Sequence, residues 1–216
     1  QNEKFKVFFK NEPLKSLPSE RKGWEYTIFG PGKMWTQFAL PVKLFLERTK
    51  PDVFFTPSHY APRFSPVPTV ISIMDVAYLK FPEYFAERDL YQLKNWTAYS
   101  VKKTSHIITI SNSSKNDILK EYGVAAEKVS VVYPGIKQVT TLTPHIYGMN
   151  ELKTKYSISG NYLLSVGTLQ PRKNTARLIE AFAQVKHSKE YKDSDLELVV
   201  VGKKGWLYEE ILAAPE

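Results

Sequence analysis

The amino-acid sequence predicts an α/β protein with a doubly wound parallel sheet, and three observations carry that expectation. Short apolar runs rich in β-formers recur at residues 5–9, 24–29, 53–56, 69–74, 107–110, 129–132, 162–166 and 196–201. Several of them, such as HIITI, VSVV and LELVVV, are apolar throughout, which suits strands covered on both faces of a parallel sheet. Helix-like segments alternate with these runs, and strand–helix alternation is the pattern of doubly wound folds. A polar stretch without period, YPGIKQVTTLTPHIYGMN over residues 133–150, separates a longer first part from a shorter second part.

In chain order, the first strand is FKVFF, almost at the start. Residues 34–50 form an amphipathic helix that stops before Pro51. Its aromatics Trp35, Phe38 and Phe45 make a stripe of the kind that faces a core. Lys33, Lys43, Arg48 and Lys50 nearby give the alternative of shallow contact with a membrane surface. Residues 87–103 place Leu90, Leu93, Trp96 and Val101 near one face. Residues 113–122 carry polar capping chemistry in SNSSKND and end at Gly123. Residues 174–186 put Leu178, Ile179, Phe182 and Val185 on one stripe, with Asn174 as N-cap. The expected organisation is a first α/β domain over 1–134, a linker over 135–155 and the opening of a second domain over 156–216.

The bulk properties narrow the function. The chain has 216 residues, is 43% hydrophobic and 24% charged, and carries a formal charge of +8. Such an excess of cations favours an anionic partner, whether nucleotide diphosphate, anionic lipid or nucleic acid. With no cysteine, disulfides, thiolate metal sites and cysteine nucleophiles are excluded. No apolar run approaches the about 20 residues of a membrane span, and the N-terminus lacks a signal-peptide core. These features fit a cytoplasmic protein, at most peripheral at the inner membrane face.

Several apparent motifs fail on chemistry. Gly30-Pro31-Gly32-Lys33 lacks the glycine five residues before Gly32, where Thr27 stands, and the Ser or Thr after Lys33, where Met34 stands, that a phosphate loop needs, and is expected to be a strand-to-helix turn. Asp193-Ser194-Asp195 has metal-binding spacing but lies in the polar loop KEYKDSD, a solvated turn. His59, His106, His145 and His187 show no metal-ligand spacing, so no metal is expected. The basic balance comes without any nucleic-acid motif, and no nucleic acid is expected as partner.

The chemistry concentrates in YLLSVGTLQPRKNTARLIEAF. A strand ends near Val166, Gly167 allows a tight turn, and a helix starts near Asn174. Arg172 and Lys173 stand just before that helix, where its free N–H groups and dipole favour an anion. Arginine can hold a diphosphate bidentately and lysine as a point charge. A solvated basic turn is the alternative reading of these residues.

VGTLQPRKN, then LIEAF, then LELVVVGKKGW resembles the donor domain of the retaining glycosyltransferases of family four, which have the GT-B fold of Rossmann-like domains. The ordered set PDVFFTPSHYAP, PTVISIMDVAYLKFPEYF and HIITISNSSKNDILKEYGVAAEKVSVVYPGI is similar to that family's acceptor-domain half. Together these motifs cover most of residues 50–216. The resemblance implies transfer of a sugar from a nucleotide-diphosphate donor to a glycan or lipid-linked hydroxyl acceptor, with retention. It implies no bound cofactor. The family's phosphate-binding lysine falls on Lys173. Its arginine position, directly after the strand glycine, is Thr168, so Arg172 is expected to take that role. Gly167 and Gly202 complete the donor-side set. On the acceptor side Met74 stands where the family often has histidine; Asp75 is retained, and His59 in the preceding strand-end loop is the second candidate for catalysis or sugar contact. Tyr133, Pro134 and Gly135 match the hinge into the second domain.

Against that family the chain is expected to be incomplete at both ends, without the first strand and its glycine-rich loop and without the glutamate pair that contacts the donor. Glu209 and Glu210 stand at an expected helix start and do not match that pair. Two alternatives stay open. One is a non-catalytic remnant with weak nucleotide binding, the other a basic module for lipid or nucleic acid. An unfinished sheet edge also invites self-association.

Overall fold

A computed structural model describes residues 3–14, 17–30, 32–136 and 148–214. Pro31, most of the expected linker and His145 lie outside the described residues. The chain divides into two compact units, one of residues 1–79 and 91–134, the other of residues 80–90 and 135–216.

The first unit contains two parallel sheets. Strands β1 (Phe5–Phe9) and β2 (Trp24–Ile28) pair in parallel, Phe5 opposite Trp24. Helix α1 (Ala39–Leu46) follows. Four further strands, β3 (Phe54–Thr56), β4 (Thr69–Ser72), β5 (His106–Thr109) and β6 (Val129–Val131), lie side by side in sequence order, all parallel. The short helix α2 (Ala77–Lys80) and the long α3 (Glu87–Lys103) join β4 to β5, and α4 (Asn112–Tyr122) joins β5 to β6. Ile71, Ile73, Ile107 and Val129 are buried to 1% exposure or less, so the apolar runs of β4 to β6 sit in a covered sheet as their sequence requires.

Helix α1 is shorter than residues 34–50. Met34 adopts a left-handed φ of 55°, which no continuing helix admits, and residues 33–38 form turns instead. At the other end Glu47 turns to extended backbone. Its carboxylate meets Lys6 of β1 at 2.7 Å and Lys43 at 3.0 Å. The aromatic stripe also turns out differently: Leu40 and Leu44 are buried, while Phe38 and Phe45 are 63% and 54% exposed. Trp35 is half-buried, with its indole N–H on the Phe29 carbonyl.

The buried face of α3 is made by Thr97, Ser100 and Val101 rather than by Leu90, Leu93 and Trp96. Small residues let the helix approach closely, and Ser100 Oγ accepts the Ala61 N–H at 2.8 Å while donating to the Trp96 carbonyl. Helix α4 starts one residue before its expected position. Ser111 is its N-cap, accepting the Ser114 N–H at 3.0 Å, and Gly123 closes it in the left-handed conformation that glycine supplies most readily.

The second unit opens on α5 (Met149–Lys155), so the last part of the expected 135–155 linker is helical. Strands β7 (Tyr162–Val166) and β8 (Glu197–Val201) pair in parallel, with α6 (Thr175–His187) between them in sequence and α7 (Glu209–Ala213) after β8. Glu209 begins α7, as expected. The apolar run of β8 was expected to be covered on both faces, yet Leu163, Leu164, Val166 and Val201 are each about half exposed or more, from 49% to 74%. An apolar groove of about 530 Å³ lies along Phe182, Leu198, Val200 and Ile211 of the same unit. Residues 80–90 belong to this unit through the 3-10 turn Pro82–Tyr84 and the first turn of α3.

Candidate functional site

Parallel strands collect their carboxyl ends along one edge, and ligands of open α/β sheets bind beyond that edge. In the second unit this edge carries the segment between β7 and α6. Gly167 donates its N–H to the Val201 carbonyl at 2.9 Å and Leu169 donates to Lys203 at 3.0 Å. The turn is therefore zipped to the residues that follow β8. The zip is tight at Gly202, where an added Cβ would stand 1.7 Å from the Gly167 carbonyl oxygen. Gly202 is required by this close approach. Gly167 is not in a left-handed conformation, and a Cβ there would meet nothing within 4 Å. The tight-turn reason expected for Gly167 is thus corrected: the glycine requirement lies at Gly202, and Gly167 borders open space.

Beyond Gln170 the chain makes the 3-10 turn Pro171–Lys173, with proline at its first position. Arg172 and Lys173 are exposed, and neither side chain has a hydrogen-bond or ion-pair partner among the described residues. Asn174 occupies the N-cap position of α6, but in a left-handed conformation with φ 56° and without a side-chain cap bond. Its expected capping chemistry is absent because that backbone turns the side chain out of the usual capping geometry. The first N–H groups of α6 consequently remain for another acceptor, two cations standing beside them.

Thr168 is half-buried and its neighbour Leu169 is buried. Gln170, 5% exposed, keeps its Oε1 without a hydrogen-bond partner among the described residues. Buried polar atoms are normally satisfied, so Gln170 joins the set of groups at this turn. Nothing in the sequence marked it except its place inside LQPRKN.

The first unit offers the second pair. His59 follows β3 and Asp75 follows β4, so both stand beyond the carboxyl edge of adjacent strands. Asp75 is exposed, and its Oδ1 accepts the Ala77 N–H at 2.9 Å. Met74 beside it is 39% exposed. His59 lies beside two aromatic rings, 6.3 Å from Tyr60 and 5.9 Å from Tyr78, and its buried Nδ1 has no hydrogen-bond partner among the described residues. Burial pushes its imidazole below the ordinary histidine range, against the smaller opposing pull of the Asp75 charge. Tyr78, which the sequence did not single out, is buried beneath this pair and shares a 2.7 Å hydrogen bond with Tyr122; desolvation raises both phenols above their ordinary range.

The remaining signals resolve locally. His106 Nε2 meets Ser130 Oγ at 2.8 Å and His187 Nδ1 meets the Ala183 carbonyl at 2.7 Å. Asp193 is 88% exposed, in a turn. Among the described residues no three His, Cys, Asp or Glu side chains cluster as a metal site would, and no helix is long and apolar enough to cross a membrane.

Two family profiles, a curated relative and several solved structures are similar to this chain. The profile of Glycosyltransferase Family 4 matches residues 8–138, and that of Glycosyl transferases group 1 matches residues 150–215. O-antigen chain mannosyltransferase RfbU of Salmonella typhimurium is 29% identical over 133 residues, which are 62% of this chain and 32% of that protein. Among solved structures, Anabaena Alr3699/HepE in complex with UDP and glucose superposes with a TM-score of 0.56 at 18% identity, over 88% of this chain and 50% of that one. The same protein with UDP-glucose gives 0.52 at 19% identity, over 75% and 43%. The chain thus spans about a third of the length of RfbU and about half of HepE. Identity at this level shows the fold, which is the Rossmann-like GT-B type expected from the sequence.

Proposed function

We propose that this chain, which belongs to glycosyltransferase family 4, is the part of a nucleotide-sugar-dependent glycosyltransferase that holds the donor diphosphate on the β7–α6 turn. The carrying observation is the pair of exposed, unpartnered cations Arg172 and Lys173 at the uncapped start of α6. As the bond between sugar and diphosphate breaks, negative charge grows on the leaving phosphate oxygens. Fixed cations and helix N–H groups stabilise that charge most in the transition state, and this difference lowers the barrier. Gly167, with open space beyond its Cα, lets phosphate oxygens approach the backbone, and Gly202 keeps the turn closed against β8. Thr168 stands where the family places an arginine, and Arg172 supplies that charge from the 3-10 turn.

On the acceptor side Asp75 is the exposed carboxylate available to a sugar or acceptor hydroxyl. His59, buried and neutral, shapes the floor beside it. In this reading the acceptor is a glycan or lipid-linked hydroxyl and the transfer retains anomeric configuration; likeness to the family supports both. The likeness to a protein solved with UDP and with UDP-glucose supports a nucleotide diphosphate as the bound moiety.

Titration calorimetry with a nucleoside diphosphate tests the donor site. The wild-type chain is expected to bind, and Arg172→Ala/Lys173→Ala to lose binding. Equal affinity in the double variant removes the site. Turnover of a nucleotide sugar by the purified chain separates a working transferase from a binding remnant.

A further inference from the structure

The backbone from Asp75 to Leu79 is wrapped into one turn. Asp75 Oδ1 accepts the Ala77 N–H at 2.9 Å, and Leu79 donates its N–H to the Val76 carbonyl at 2.9 Å. An aspartate tied in this way to the backbone two residues on is aimed by that backbone. Whatever fixes residues 76–78 therefore fixes the Asp75 carboxylate. Two side chains of the turn sink into the core of the first unit, Val76 and Tyr78, each 1% exposed. Burial of Val76 is apolar and has no direction. Tyr78 adds a directed contact, because its hydroxyl meets the Tyr122 hydroxyl at 2.7 Å.

Tyr122 is the last residue of α4. That helix starts directly after β5 and, as a crossover between parallel strands, runs from the carboxyl edge of the sheet back toward the start of β6. Its 11 residues span about 16 Å, so Tyr122 is rooted toward the amino edge. Helical side chains lean toward the helix N-terminus, which turns Tyr122 back toward the carboxyl edge, where Asp75 stands. The helix is a firm post: Ser111 caps its start, Gly123 closes its end, and Ile118 in its middle is fully buried. Burial raises both phenols above their ordinary range, so each keeps its proton at neutral pH and can donate. Asp75, Tyr78 and Tyr122 all belong to the first unit.

We propose that Tyr122 is a positioning residue: its hydroxyl, through that of Tyr78, holds the turn that presents Asp75. The consequence for transfer rests on the transferase reading, and the tether rests on the geometry of the first unit.

The test measures backbone nitrogen-15 order parameters and transfer kinetics of the full chain and of its Tyr122→Phe and Tyr78→Phe variants. Either substitution deletes one hydroxyl of the pair and keeps the ring. Rigid backbone gives an order parameter of about 0.85 and flexible backbone one below about 0.6. The wild-type amides of Ala77 and Ile73 are expected at the rigid value. In Tyr122→Phe the Ala77 value falls toward the flexible one, while Ile73, whose N–H is held by the Ile108 carbonyl at 2.9 Å, stays rigid. A role confined to stability lowers the melting temperature and leaves the order parameters of the folded chain unchanged; that result overturns the proposal. An equal fall at both amides overturns it too, since the whole sheet has then loosened. Tyr78→Phe breaks the same bond from the other side, and a rigid Ala77 in that variant likewise overturns the tether. For transfer, kcat falls about fivefold in Tyr122→Phe, the loss of one hydrogen bond felt in the transition state, while KM for the donor holds within about twofold. A loosened Ala77 with unchanged kcat overturns the positioning role. A wild-type chain that transfers no sugar counts against the transferase reading, and the Ala77 order parameter then decides the tether.

Discussion

Replacing Gly202 with alanine probes the contact that holds the donor turn against β8. The new Cβ would lie 1.7 Å from the Gly167 carbonyl oxygen and 2.8 Å from its carbonyl carbon. Both are backbone atoms, with no flexible side chain to swing aside. Reaching ordinary van der Waals separation requires the two segments to part by roughly 1.5 Å. Two hydrogen bonds flank the contact, Gly167 N–H to Val201 and Leu169 N–H to Lys203, at 2.9 and 3.0 Å. A displacement of that size breaks both, at about 1 kcal/mol each, which gives a loss of about 2 kcal/mol. For a unit of this size each kcal/mol lowers the melting temperature by roughly 4–8 °C, so Gly202→Ala is expected to melt roughly 8–16 °C lower in a thermal scan followed by circular dichroism. Gly167→Ala is the control, because its Cβ enters open space; its stability stays within about 0.5 kcal/mol of wild type while nucleoside-diphosphate affinity falls. A Gly202→Ala chain that melts with the wild type refutes the backbone contact. A Gly167→Ala chain that binds like wild type refutes the approach of phosphate to that backbone.

Removing Arg172 and Lys173 together eliminates charge-assisted hydrogen bonds worth roughly 1.5–3 kcal/mol each, so nucleoside-diphosphate affinity should drop by more than about a hundredfold in calorimetry; a loss under about threefold would leave the cations without a role. His59 is held below its usual range by burial. The unfolded chain therefore takes up the proton first as pH falls below about 6.5; the contribution of neutral His59 is full above that pH and is lost as pH falls toward the lower folded value. Urea midpoints of wild type and His59→Phe should diverge from each other between about pH 7.5 and 5.5, and parallel midpoints would sink the idea. Glu47 is held below the ordinary carboxylate range, first by the Lys6 hydrogen bond and then by Lys43, against desolvation. Its stabilisation is present above the ordinary carboxylate pKa and fades as pH falls through the lower folded value. Because both lysines are about one-third exposed, Glu47→Gln should cost only about 1 kcal/mol in a urea titration, and an unchanged midpoint would show the pair to be idle.

The strands were legible because β-rich apolar runs are a local signal. All eight appear where the sequence places them, within a residue or two at each end. Helix boundaries were legible where a cap sets them, as at Gly123, and misjudged where one residue's backbone decides. Met34, with its left-handed φ, has no sequence mark that would cut residues 34–38 from α1. The polar inner face of α3 escaped detection because Thr97 and Ser100 are buried for their size, not their hydrophobicity. The Trp206 indole N–H donates to the Tyr84 carbonyl from 122 residues away, and no periodicity or spacing records such a contact.

The site shows the same division between what connectivity fixes and what packing fixes. A parallel strand followed by a crossover helix brings the strand's carboxyl end and the helix's amino end to one edge of the sheet. Residues between β7 and α6, or directly after β3 and β4, must therefore stand at the ligand-binding edge whatever their side chains do. That is why Arg172 and Lys173 could be nominated from the turn itself, while Asp75, and His59 beside it, were reached through the resemblance to the family motif. Depth at that edge is a different property, set by neighbours that come from elsewhere. Tyr60 and Tyr78 flank His59 with their rings, whereas Asp75 is exposed. A buried imidazole whose Nδ1 has no partner among the described residues is poorly placed to meet a solvated substrate, and an exposed carboxylate braced by the Ala77 N–H is well placed. Of the two acceptor-side candidates Asp75 is thus the exposed one, the group to which we assign ligand contact, and His59 the buried one, to which we assign a role through packing and charge.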